Sequence, residues 1–400
     1  MRCHNGPVTA TASEPKAPTA FRWDRLTVAS AMGYCLLVAT LSIGNVLGEL
    51  RAEFGLSGVV TALHGSIFGA GLVLVGAFGV RAVDRFGRRG ALGATVVGSL
   101  LGVALVSIGP SWPVTLLGAA LGGFAGATYV LVIPSVISDH HGPNLGRALA
   151  AVNAVPAIAG IAFGFLIGGA LSAGWSWRPP YLALTAVFAI IASVAARPVA
   201  MPGGVRHGTF TLRHFRERAV LVPSLFIANG VLVEFSIGVW SVTYLREVGG
   251  ASSGAAPLLS TVFGVMMFSS RLALHRIQRR FGANTIAASF ALIVIGSAVM
   301  VFVPSLTARV IGLALVAFGG GPIYPLAFER LHEQASHRID SVGLGAYSAL
   351  ATGVGILIGP LILGVFADVV GLRWALLYAT GLAVVGMITQ RARTGTPPQV

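Results

Sequence analysis

Residues 54–89 read FGLSGVVTALHGSIFGAGLVLVGAFGVRAVDRFGRR. Between Glu53 and Arg81 there are 27 residues without a formal charge, and then Arg81, Asp84, Arg85, Arg88 and Arg89 fall within nine positions. A helix rises about 1.5 Å per residue, so roughly 20 apolar residues cross about 30 Å of hydrocarbon. The stretch therefore reads as a membrane-spanning helix that ends in a cationic loop.

The rest of the chain repeats that pattern. Of its 400 residues, 55% are hydrophobic and only 10% charged, where a soluble domain carries about 25% charged. Too few charges exist to coat a water-facing globule, which excludes a soluble enzyme, a disordered chain and a nucleic-acid binder. Gaps between charges mark spans at 26–48, 54–80, two within 90–138 broken at Gly109-Pro110-Ser111-Trp112-Pro113, then 147–178, 178–197, 218–246, 247–271, 280–309, 309–329, 340–368 and 373–391. The expectation is an all-α integral membrane protein of twelve transmembrane helices.

An even span count puts both termini on one side. The segments on that side hold 22 basic residues and the opposite loops hold five: Arg51, Arg178, Arg246, Arg309 and Arg373. Such a bias marks the first side as cytoplasmic and accounts for the net charge of +14 as topology plus attraction to anionic lipid. The tail 1–25 is polar and lacks a small-residue cleavage site ahead of the first span, so it reads as an uncleaved cytoplasmic tail. Arginine supplies all basic residues but Lys16, which follows Pro15; a phosphate-binding loop with its glycine-lysine pair is absent. Cys3 and Cys35 imply no disulfide framework. Neither a cofactor nor a metal is expected.

The chain also repeats itself. Leu50-Arg51 recurs as Leu245-Arg246, 195 residues on, and at that offset Gly55 matches Gly250, Ser66-Ile67-Phe68-Gly69 matches Thr261-Val262-Phe263-Gly264, and Arg85-Phe86-Gly87 matches Arg280-Phe281-Gly282. Gly174 and Trp177 match Gly371 and Trp374 at offset 197. The expected organisation is a tail (1–25), a six-helix bundle (26–196), an arginine-rich cytoplasmic linker (197–218), a second, pseudo-symmetric six-helix bundle (219–390) and a cytoplasmic tail (391–400). Parallel halves of this kind place a transport site between them.

On these residues the chain resembles the major facilitator superfamily. Its signature loop, Gly-x-x-x-Asp-Arg-x-Gly-Arg-Arg, is matched by Asp84-Arg85-Phe86-Gly87-Arg88-Arg89, with the first glycine one residue early at Gly79 and Val80 in its place. The second-half copy keeps only Arg279-Arg280-Phe281-Gly282. The resemblance implies that this loop is a conformational latch: Asp84 set against a helix N-terminus, and Arg88 and Arg89 paired with acids at helix ends, for which Asp139 and Asp340 are candidates. The plain alternative is a set of arginines that only anchor the loop.

Ionisable residues inside the spans are few. Glu234 lies near the middle of the seventh; a bare carboxylate there is costly, so it faces a wet cavity, is paired or carries a proton. It is the first candidate for proton coupling, and His64 the second. Arg271 can hold an anionic substrate, pair with Glu234 or snorkel to the interface. Tyr34, Asn45, Tyr129, Asn153, Asn229 and Tyr324 are the further candidates for a substrate cavity, with helix-to-helix bonding as the plain alternative for each. Glycines at 118, 122 and 126, at 160, 164 and 168, and at 355 and 359 suit close helix approach, and Gly359-Pro360 and Gly320-Gly321-Pro322 suggest bends. Phe165 stands where an antiporter glycine motif has proline, and the fourth span lacks the arginine of many proton–drug antiporters of that family. Gly250-Ala251-Ser252-Ser253-Gly254 lacks the strand-to-helix turn of a nucleophile elbow, and His332-Glu333 with His337 misses zinc spacing by one.

The reading is a monomeric, multi-pass carrier of the cytoplasmic membrane that moves a small solute, an exported drug-like compound or a nutrient or metabolite, by alternating access coupled to protons. It is not expected to be an enzyme. The alternative is a polytopic enzyme acting on lipid, with acid, histidine and basic residues clustered at one membrane face.

Overall fold

The computed structural model describes residues 22–141, 145–197, 199, 201, 212–339 and 341–394. Among them twelve helices are long and apolar enough to cross a membrane. Spans 1 to 6 are Arg25–Asn45, Gly58–Gly79, Arg85–Ile108, Trp112–His141, Ala151–Ser172 and Arg178–Ala196; spans 7 to 12 are Arg218–Glu247, Ala255–Leu272, Leu274–Phe302, Leu306–Ala335, Gly343–Val370 and Leu372–Gln390. In hydrocarbon every backbone N–H and C=O needs an internal partner, which is why apolar segments of this length close on themselves as helices. The face that carries the 81–89 stretch is called the basic face below.

The halves, spans 1–6 and 7–12, repeat in backbone detail. Among the described residues the glycines with positive φ are Gly55, Gly87, Gly174, Gly250, Gly282 and Gly371. They form three pairs at the repeat offsets of 195 and 197. Close helix contacts repeat as well. A Cβ on Gly102 of span 3 would sit 2.8 Å from the Gly118 carbonyl of span 4, and one on Gly296 of span 9 would sit 2.6 Å from the Gly312 carbonyl of span 10. Only glycine permits this backbone-on-backbone approach.

Three local expectations change. The charged 81–89 stretch is helical: one helix runs Gly58–Ile108, interrupted at Gly87 (φ 71°, ψ 159°). Arginines beyond the hydrocarbon do not disturb helical hydrogen bonds, so the chain reverses at the single residue that takes this backbone without strain. Span 9 starts early because a short helix, Leu274–Phe281, joins Thr285–Phe302 through a 3-10 turn, Gly282–Asn284; that short helix has no buried residue and carries Arg276, Arg279 and Arg280. Span 10 does break at Gly321 and Pro322, between Leu306–Gly320 and Ile323–Ala335, whereas the helix Ser341–Val370 passes through Pro360. There Gly359 serves contact: its Cβ would lie 2.6 Å from the Leu232 carbonyl of span 7.

The halves meet along spans 2 and 11 and spans 5 and 8. Gly58 lies against Gly364, Gly69 against Gly353 and Leu357, Gly164 against Thr261, and Gly168 against Gly254. These contacts run from the face opposite the basic one to mid-membrane.

Candidate functional site

A cavity of about 570 Å³ lies between the halves, walled by residues of spans 1, 2, 4 and 5 on one side and spans 7 and 8 on the other. Its volume is that of a small-molecule site. Much of the wall is apolar, with Phe68, Phe235, Phe263 and Phe268 among its rings. Among the described residues Glu234 is its only carboxylate and Arg271 its only guanidinium. They stand 3.8 Å apart, nitrogen to oxygen, on spans 7 and 8. The Arg271 side chain is 46% exposed and that of Glu234 15%. Arg271 also donates from Nε to the Gly321 carbonyl, 3.4 Å away, at the break in span 10.

Tyr34, Asn45, His64 and Asn153 line the same cavity. His64 is nevertheless held at both ring nitrogens: Nδ1 lies 2.8 Å from the Val60 carbonyl and Nε2 3.0 Å from Thr115 Oγ1 of span 4. Three other candidates are not in the wall. Tyr129 is buried against Gly33, Asn229 donates to the Leu382 carbonyl at 3.2 Å, and the Tyr324 hydroxyl is 3.0 Å from Ser348 Oγ. Helix packing occupies all three. The sequence reading missed the phenylalanines and the bonded pair Ser241–Ser260, 2.6 Å apart, which also line the cavity.

The face opposite the basic one carries ion pairs that cross between the halves. Arg51 of the first half meets Glu247 of the second at 3.0 Å, and Arg246 of the second meets Glu49 of the first. The two arginines are the repeat-related pair 195 residues apart. Beside them, Asp368 of span 11 accepts from the Gly58 N–H at 2.6 Å and the Val59 N–H at 3.1 Å, at the start of span 2. A carboxylate on a helix N-terminus is favourable because free N–H groups and the helix dipole both point at it.

At the basic face the described ion pairs stay within one half. Arg88 meets Asp139 at 2.6 Å, with 6% of its side chain exposed. Arg89 donates to the Arg197 carbonyl at 2.6 Å, and Arg85 lies over the Phe86 ring at 5.8 Å. Asp340 and the Asp84 side chain lie outside the described residues. In the second half Glu217 meets His214 at 2.8 Å and Arg338 at 3.4 Å. A group the sequence did not suggest joins spans 1 and 4. Asp24 caps span 1 by accepting from the Thr27 N–H at 2.9 Å and its hydroxyl at 2.8 Å, and it pairs with His140. Burial works against the Asp24 carboxylate, but the bonds from His140 and Thr27 prevail and hold its pKa at about 2.

The sequence profile of the Major Facilitator Superfamily matches residues 27–349. The chain is 29% identical over 173 residues to membrane protein MosC of Rhizobium meliloti, a match that spans 42% of each chain. It is 25% identical over 292 residues to an uncharacterized transporter, y4wD, of Sinorhizobium fredii, covering 68% of this chain and 73% of that one. Among solved structures it superposes on an inward-facing, occupied bacterial homolog of the human lysosomal transporter Spinster with a TM-score of 0.75, at 15% identity and with 93% of this chain and 96% of that one covered. The nucleoside transporter NupG gives a TM-score of 0.74 at 12% identity, with 93% and 99% covered. At these identities the likeness is one of fold.

Proposed function

The chain belongs to the major facilitator superfamily, and from that premise we propose that it is a proton-coupled secondary transporter that works by alternating access. One observation carries the reading. A cavity with a single carboxylate lies between the halves, and every ion pair that crosses between them, among the described residues, sits on one face. Rocking the halves breaks those pairs and opens the cavity on that side. The abundance of basic residues on the other face makes it cytoplasmic, with both termini there, in the cytoplasmic membrane. On this reading the structure is closed to the outside. Arg88–Asp139, with Asp84 and Asp340, belongs to the latch that closes the cytoplasmic side in the other state.

Glu234 is the proton carrier in this scheme, since it is the one acid among the described residues at the cavity and its partner Arg271 is 3.8 Å away, beyond hydrogen-bond length. A lipid-modifying enzyme would gather acid, histidine and base at one face for chemistry; in the Asp24–His140 group a helix cap accounts for the bonds from Thr27, and the histidine pair ties span 4 to the start of span 1. The test is accumulation of a bound solute in proteoliposomes under an inward proton gradient. Glu234→Gln is expected to abolish accumulation while leaving counterflow exchange. Gradient-driven accumulation by that variant at the wild-type level removes Glu234 as the carrier.

A further inference from the structure

The reading above leaves the substrate open, and the unequal exposure of the Glu234–Arg271 pair bears on it. The ligand that enters this cavity meets the guanidinium first, because the Arg271 side chain is three times as exposed as that of Glu234. A cationic ligand would have to displace Arg271 to reach the buried carboxylate, and would leave two cations competing for one acid. An anionic ligand needs only that Arg271 be released from Glu234.

We infer that the cavity takes an organic monoanion with an apolar body, and that it binds the anion together with one proton. The inference rests on the transporter reading of this site and deepens it. With Glu234 ionised, its charge already neutralises Arg271. With Glu234 protonated, Arg271 keeps its full charge and a ligand carboxylate takes the place of the lost counter-ion. The two events therefore favour each other, and linkage makes the coupling reciprocal: the proton tightens the anion, and the anion tightens the proton. One anion and one proton cross with no net charge, so the loaded carrier moves without opposing the membrane potential.

The surroundings support this assignment. The other titratable side chains in the cavity wall are Tyr34 of span 1 and His64 of span 2. His64 is engaged at both ring nitrogens by Val60 and Thr115. Spans 10, 11 and 12, which also pack on span 7, give the cavity wall none of their described residues. Among the described residues Arg271 is thus the only charged group in the wall beside Glu234. Phe68, Phe235, Phe263 and Phe268 offer the apolar body its contacts, and a volume of about 570 Å³ suits a ligand of roughly drug size or below.

The test is binding in detergent, where no gradient or flux is required. Three probes share one body and differ in charge: 4-phenylbutyrate, 4-phenylbutylamine and 4-phenylbutanol. Affinities are read by thermal shift and calorimetry between pH 5.5 and 8. The expected result is that only the carboxylate binds more tightly as pH falls, by up to about tenfold per unit for a single linked proton. Glu234→Gln should hold the carboxylate at its tight, low-pH affinity across the range. Arg271→Gln should abolish its advantage over the alcohol, and Arg271→Lys should restore part of it, which separates loss of charge from loss of fold. Tighter binding of the amine, or carboxylate affinity independent of pH in the wild type, overturns the inference. A second arm measures flux of the same three probes into proteoliposomes: amine binding together with proton-driven amine flux refutes the anion assignment yet keeps the transporter. Proton-linked carboxylate binding without flux for any probe supports the anion site and counts against the transport reading, while the anion assignment stands.

Discussion

The clasp on the face opposite the basic one makes a quantitative prediction. Asp368 accepts two backbone N–H groups at the start of span 2, at 2.6 and 3.1 Å. A hydrogen bond to a charged group is worth about 1.5–3 kcal/mol net; because Asp368 is exposed the lower end applies, and because the longer bond from Val59 is open to water, which can replace it, only the Gly58 bond is counted. Asp368→Ala should therefore remove about 1.5 kcal/mol from the state seen here and nothing from a state in which spans 2 and 11 have separated. At about 1.4 kcal/mol per tenfold, the ratio of closed to open forms at this face falls about tenfold. The two crossing ion pairs are part-exposed and contribute about 0.2–1 kcal/mol each, so Arg51→Gln alone should do less than Asp368→Ala. Spin labels at Ala173 and Ser305, exposed positions on this face in the two halves, would report the populations as a distance distribution in nanodiscs. The reasoning is refuted if Asp368→Ala leaves that distribution unchanged, or if Arg51→Gln shifts it further.

Three further outcomes are expected. Gly102→Ala and Gly296→Ala each drive a methyl into the backbone of the partner helix, within 2.8 and 2.6 Å of a carbonyl oxygen, and should each cost about 1–3 kcal/mol, read as a lowered melting temperature in detergent. Asp24→Ala should lose about 1 kcal/mol through the missing cap, whereas Asp24→Asn, a competent cap, should lose less. Because the folded pKa of Asp24, about 2, lies below its ordinary 3.8, its contribution is present above the ordinary value and disappears as pH falls towards 2; a wild-type minus Asp24→Asn difference in melting temperature that grows on acidification would contradict this. Arg178→Ala should destabilise the first half, since Arg178 binds both Glu53 and the Ser107 carbonyl, and the lost carbonyl bond should appear as faster amide exchange at the end of span 3.

The fold was legible because two of its signals are physical necessities. Hydrocarbon excludes charge, so charge-free gaps locate spans, and a reversal that needs positive φ leaves a glycine, so Gly55, Gly87 and Gly174 recur as Gly250, Gly282 and Gly371. The cavity was legible only where polarity betrays it. Glu234, Arg271, Tyr34, Asn45 and Asn153 stand out in apolar helices and line the cavity. Tyr129, Asn229 and Tyr324 stand out equally, yet bond to or pack against neighbouring helices. Phe68, Phe235, Phe263 and Phe268 were invisible because a ring facing a cavity and a ring facing lipid look alike in sequence. The signature stretch misled in one respect: its arginines suggested a loop, while the backbone needed only Gly87 to turn.

The five arginines on the sparsely charged face show why exceptions to a charge bias repay scrutiny. Each has a partner in the structure. Arg51 and Arg246 reach across the halves to Glu247 and Glu49. Arg178 and Arg373 donate from Nε to the Ser107 and Val301 carbonyls, at 2.6 and 2.7 Å, near the ends of spans 3 and 9. Each also stacks on the tryptophan beside it, at 4.6 and 5.1 Å. Arg309 bonds the Val248 carbonyl. Arg51 and Arg246 are one repeat apart, while Arg178 and Arg373 flank the repeat-related tryptophans Trp177 and Trp374 from opposite sides. A duplicated arginine on the side that disfavours arginine is a structural signal in its own right. Helix-end carbonyls and crossing carboxylates are the groups that need a cation there: Arg51 and Arg246 answer the carboxylates across the halves, and Arg178, Arg309 and Arg373 answer the carbonyls.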